Sequence, residues 1–148
     1  MSNIDWHNHI EKFSAETRFR PPTSEKSLSA SEAALGLRFP ESLRSLLLQS
    51  DGVFDEYGTS FIWPVQDIRE QNLEFRQNHS FRQLYMPFDH LLFFGDAGNS
   101  DHFAFPILAG EIRKDDVFGW NHEDDSRSWL APSLEIFIEW WLINKVTL

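Results

Sequence analysis

Cysteine is absent from the sequence. Disulfides, thiol nucleophiles and cysteine-bound zinc or iron–sulfur centres are therefore excluded, and the absence leans toward a reducing compartment. Cations are scarce. The 13 Lys and Arg stand against 23 Asp and Glu, a formal net charge of −10. Such a surface repels phosphate, so direct DNA or RNA binding is disfavoured. It would attract a basic protein and speed the encounter. Solubility alone is the plainer reading of the same charge. Long apolar runs are missing as well, and none approaches the roughly 18 residues of a membrane span. Residues 1–7 have neither the basic nor the apolar stretch of a signal peptide, so a cytoplasmic location is expected. No dinucleotide or Walker glycine pattern occurs, and no Gly-x-Ser-x-Gly elbow surrounds a serine such as Ser60.

Aromatic side chains are plentiful, with 14 Phe and 6 Trp in 148 residues. They carry large buried areas, so one compact core needs no further staple. Asn3 is placed to cap a first helix carrying Ile4, Ile10 and Phe13. Residues 21–27 read as a proline-punctuated loop. Ser29-Ala30-Ser31-Glu32 has the form of a capping box, and Gly36 suits the left-handed end of that helix. Pro40 suits the first turn of the next helix, whose Leu43, Leu46 and Leu47 share a face. Tyr57 to Pro64 reads as a strand, and Val65 to Gln77 as a helix with Val65, Ile68 and Phe75 inward.

Leu91–Phe94 and His102–Ile107 read as strands around a Gly/Asp/Asn turn. Asp116–Asn121 and Arg127–Ala131 add two more, around a polar turn at 121–126. Pro132 then opens a last helix with Leu134, Phe137, Ile138, Trp141 and Leu142 on one stripe, leaving Trp140 and Ile143 off its centre. The order predicts an α+β fold: a single domain with a central, mainly antiparallel sheet flanked by helices. An N-terminal helix and loop would occupy 1–28, and the main body 29–148.

Two clusters carry oxygen and nitrogen donors. In the motif turn Gly95, Asp96, Gly98, Asn99 and Asp101, the carboxylates could ligate a cation. Their spacing does not match an EF-hand, however, and turn chemistry accounts for them. No metal site and no cofactor are expected. His122-Glu123-Asp124-Asp125 would need His90 or His102 to converge on it for metal or acid–base work. Consecutive residues point apart, so a solvated turn comes first, an acidic partner-binding patch second and catalysis third. Trp63, Trp120 and Trp129 sit at strand ends near turns. Core packing explains each; exposed together, they would form an aromatic anchor beside the acidic turn. Trp63, Trp120, Glu123, Asp124, Asp125 and Trp129 are thus the candidate partner contacts.

The chain resembles the Smi/Knr family of the SUKH superfamily. The resemblance rests on residues 37–47 with Asp51-Gly52, Ile62-Trp63-Pro64, residues 94–101, residues 116–120, and residues 122–127 running into the Trp140-Trp141 helix. It implies an α+β domain with a largely antiparallel sheet and no catalytic signature. Many bacterial relatives look like immunity proteins that neutralise toxin domains, often nucleases, and fungal relatives look like regulatory interaction proteins. A non-enzymatic protein that occludes a basic toxin domain is therefore the leading expectation. An interaction module for an endogenous cytoplasmic protein is second, and an enzyme with a hidden His/carboxylate pocket third. Ser100 stands where close relatives are expected to carry glycine; a left-handed backbone there would be strained.

Overall fold

The computed structural model describes residues 4–148. Its elements run α1 (Trp6–Glu11), β1 (Arg18–Phe19), α2 (Glu25–Leu35), α3 (Glu41–Leu47), β2 (Val53–Phe54), β3 (Ser60–Ile62), α4 (Val65–Gln77), α5 (His79–Leu84), β4 (Leu91–Asp96), β5 (His102–Pro106), β6 (Val117–Trp120), β7 (Arg127–Ala131) and α6 (Leu134–Leu142). Every strand pairing is antiparallel, and the fold is α+β as expected. The strands divide into two sheets, β1-β2-β3 and β4-β5-β6-β7. The Trp63 N–H stitches them by donating to the Phe94 carbonyl at 2.7 Å. Gly95 permits that approach. A Cβ on it would stand 1.9 Å from the Phe61 carbonyl oxygen, so no other residue fits without moving a strand.

Leu91 to Gly95 are all buried, which is why that run shows no polar alternation. Helices cover both faces of the larger sheet. On one face Phe93, His102 and Trp120 pack against Phe75 of α4, at ring separations of 5.0, 5.2 and 5.5 Å. On the other, Phe103 meets Phe137 and Trp141 of α6 at 4.6 and 4.9 Å. His102 and Phe103 are adjacent, so their opposite partners follow from the period of two. The N-terminal helix belongs to the same core: Trp6 is buried, and its indole N–H donates to Ser45 Oγ at 2.8 Å.

Several local expectations need correction. Ser24, not Ser29, caps α2, accepting from the Ser27 N–H at 3.1 Å. Glu32 is drawn elsewhere. Its carboxylate accepts from the Phe39 N–H at 2.7 Å and from buried Arg44 at 2.8 Å, while Glu25 pairs with the same guanidinium. Pro40 stands at the cap of α3 rather than in its first turn; Pro64 caps α4, which starts at Val65 as expected, and Asp51 accepts from the Val65 N–H at 2.8 Å. Ser133, beyond Pro132, caps α6. The strand expected over 57–64 shrinks to β3, because Asp55 Oδ1 accepts from the Tyr57 and Thr59 N–H groups and curls 55–59 into a turn. Asp5 caps α1, and the expected cap Asn3 lies outside the described residues.

Candidate protein-interaction surface

Asp96, His102, Trp120 and Arg127 lie in one register row across β4-β5-β6-β7. Just beyond that row the chain turns twice, at 97–101 and at 121–126. The 55–59 turn of the smaller sheet reaches the same end, where a Cβ on Gly98 would meet Thr59 Oγ1 at 3.1 Å. These three turns form a rim. They carry Asp55, Glu56, Asp101, Glu123, Asp124 and Asp125, and neither Lys nor Arg.

Hydrogen bonds build the rim from within. Asp96 accepts from the Trp63 indole N–H at 2.9 Å and from the Gly98 N–H at 2.9 Å. Asn99 accepts from the Asp101 N–H at 3.2 Å. Buried Asp101 accepts from the His122 backbone N–H at 3.0 Å, and its Oδ1 lies 2.6 Å from His122 Nδ1, joining the two turns. Gly98 and Ser100 have φ of 91° and 77°. The serine therefore occupies the left-handed backbone that suits glycine, in agreement with the strain expected of it.

Asp125 is the most heavily engaged carboxylate of the 121–126 turn. Oδ1 accepts from the Trp120 indole at 2.7 Å and from Arg127 Nη2 at 2.9 Å, and Oδ2 accepts from the Met86 N–H at 2.8 Å. Burial works to raise its pKa. The hydrogen bonds from Met86, Trp120 and Arg127 outweigh that effect and hold the carboxyl below its usual value. This residue braces the turn.

The predicted contact residues fall into two groups. Trp63 is 5% exposed and Trp120 2%, so an aromatic anchor made from all three indoles is not available. Both rings pack on His102, at 5.1 and 5.6 Å, and their N–H groups are taken by Asp96 and Asp125. Trp129 is half-exposed on β7, and Glu123 and Asp124 face solvent. Tyr57, 84% exposed at the tip of its turn, and Glu56 beside it have the character sought in the patch, but Tyr57 lies on a segment read as strand and Glu56 immediately precedes it. The Asp-Glu-Tyr-Gly order of 55–58 was the available turn signal.

Two clefts flank the Thr59–Gly98 contact. One, of about 520 Å³, is lined by Ser60, Trp63, Asp67, Asp96, Ser100 and His102 among others. The other, of about 570 Å³, includes Glu16, Asp55, Glu56, Tyr57 and Trp141. Neither contains a Lys or Arg. In the first, burial raises the Asp67 carboxyl pKa, with help from Glu70. Burial acts on His102 in the opposite direction, lowering its pKa and favouring the neutral ring. Among the described residues, no three His, Asp or Glu side chains converge as metal ligands would. Carboxylates without cations, on a rim preformed by its own hydrogen bonds, suit the recognition of basic groups.

Fold and rim define an α+β domain with an acidic end. A family model described as SMI1-KNR4 cell-wall matches residues 25–138, most of the chain. The chain belongs to this SUKH family, whose members are generally protein-interacting domains. Comparison with curated proteins gives no match. No described helix is long and apolar enough to cross a membrane.

Proposed function

We propose that this chain is an immunity protein that neutralises a toxin domain, such as a nuclease, by covering its basic substrate groove. The observation that carries the reading is the cation-free rim at 55–59, 97–101 and 121–126, set in a SUKH domain with net charge −10. Glu56, Glu123 and Asp124 supply charge facing solvent, and Tyr57 and Trp129 supply apolar contact area. Asp96, Asp101 and Asp125 hold the turns in shape. Charge steers the encounter, and the aromatic contacts slow dissociation. Inhibition is by occlusion in this reading, with no reaction catalysed and no cofactor, in the cytoplasm where the toxin acts.

The test is growth rescue. The chain is co-expressed with toxin-like domains encoded beside its gene, in a host that those domains arrest. Rescue by the unmodified chain, lost in Glu56→Gln/Glu123→Gln/Asp124→Asn, supports the reading. Stable capture of an endogenous regulatory protein through the same rim, with no rescue, would replace it with the interaction-module reading.

A further inference from the structure

A second region lies along the C-terminal end of α4. Asn78 leaves the helix in extended conformation and caps α5, accepting from the Phe81 N–H at 3.1 Å. The chain then returns over α4 through Tyr85–Asp89. Between them is a pocket of about 310 Å³ walled by Phe75, Phe81, Tyr85 and Phe88, with Met86 at its edge. Its size lies at the lower end of the range for small-molecule sites.

The pocket is held in shape by the opposite turn. Tyr85 O–H donates to the His122 carbonyl at 2.9 Å, and Met86 N–H donates to Asp125. Arg127 donates to the Met86 and Pro87 carbonyls at 2.8 and 2.9 Å. A ligand therefore does not have to order this segment on entry.

Arg76 stands in the wall with hydrogen-bonding capacity unused. Its Nη1 donates weakly to the Leu35 carbonyl at 3.5 Å. Nε and Nη2 are shielded from water and have no partner among the described residues. A shielded, unpaired guanidinium donor is costly, and a carboxylate is its natural acceptor. Asp89 lines the same pocket but accepts from neither of those two atoms. The charged lining groups are Arg76, Arg82 and Asp89, which leaves one net positive charge.

We propose that this pocket binds a small monocarboxylate with an aryl or branched-alkyl body, the body among the four aromatic rings and the carboxylate on Arg76, whose guanidinium gives up its weak Leu35 contact and turns the covered Nε and Nη2 toward the pocket. One net cation matches one anion, whereas Asp89 and the acidic surface as a whole oppose a polyanion. The pocket shares no lining residue with the rim, although the 121–126 turn braces it, and the proposal does not depend on the toxin reading.

The test titrates the full chain with 3-phenylpropanoate, 4-methylpentanoate and the neutral 3-phenylpropanamide, followed by backbone amide NMR. Saturable shifts centred on residues 72–90 and the bracing 121–127 segment are expected for the acids, with the amide roughly tenfold or more weaker. Arg76→Gln should bring acid and amide to equal affinity, its fold checked by an unchanged amide spectrum elsewhere. Absence of saturable binding by either acid at millimolar concentration overturns the proposal. So does equal binding of 3-phenylpropanoate and its amide by the unmodified chain, a comparison that needs no variant to fold.

Discussion

The 121–126 turn and the 55–59 turn are both short, acidic and at the same end of the molecule, yet their carboxylates do different work. In the first, Asp125 holds Trp120, Arg127 and the Met86 backbone, and Asp101 of the neighbouring turn reaches across to His122. In the second, Asp55 shapes the turn while Glu56 and Tyr57 stand in solvent. A run of acidic residues thus mixes structural acceptors with open charge. Hydrogen-bond partners, not residue type, separate them. The same division runs through the aromatics: Trp120 is core, and Trp129 two strand positions into β7 is half-exposed.

Perturbing these groups should separate their roles. The largest loss is expected at the packing beneath the 121–126 turn. Trp120→Ala should cost about 3–5 kcal/mol in denaturant unfolding, since it empties a space shared with Phe75, Tyr85, Phe88, Phe93 and His102. Asp125→Ala comes next, at about 1–3 kcal/mol, because it leaves the Trp120 indole and the Met86 N–H without their acceptor. Its φ of 61° adds to the cost of alanine there.

Acid should expose the same distinction. The folded pKa of Asp125 is depressed, so its contribution is present above the ordinary carboxylate value of about 4 and is lost as pH falls through the lower folded value. His102 is also depressed, by burial. The folded state disfavours its proton, so stability should fall as pH drops from the ordinary histidine value of about 6.5 toward the folded value. Thermal melts across pH should show that shallow upper limb, and His102→Leu should flatten it. The smallest effect is predicted for Glu56→Gln/Glu123→Gln/Asp124→Asn. Its melting temperature at neutral pH should equal that of the unmodified chain. These side chains face solvent, and the amide oxygen introduced by Asp124→Asn can still accept from the Ser126 N–H. A lower melting temperature would show that these acids, too, brace the fold.

Much of this fold was legible in the residues. The α4 bounds, Val65 to Gln77, follow from proline before and polar residues after an inward stripe. The 91–106 hairpin follows from aromatic runs around a turn. Strands β1 and β2 are two residues each, too short to show an alternation. α5 has no buried residue and hence no periodic face. Ser29, with Glu32 three residues on, carries the stronger local cap signal, but Arg44 and the Phe39 N–H claim Glu32, partners 12 and 7 residues away. The site was half legible for the same reason. Acidity and the position of the turns are local properties. That Trp63 bonds Asp96 across 33 residues is not, so its burial came only with the fold.

The central claim is that solvent-facing carboxylates on the rim steer a basic toxin domain. The most direct measurement is the association rate, by stopped flow, between this chain and the toxin domain against which it rescues growth, as salt is raised. The rate should fall with salt, and the Glu56→Gln/Glu123→Gln/Asp124→Asn chain should associate roughly tenfold or more slowly at low salt with little change in dissociation. Equal rates for the two chains, with no salt dependence, would contradict it.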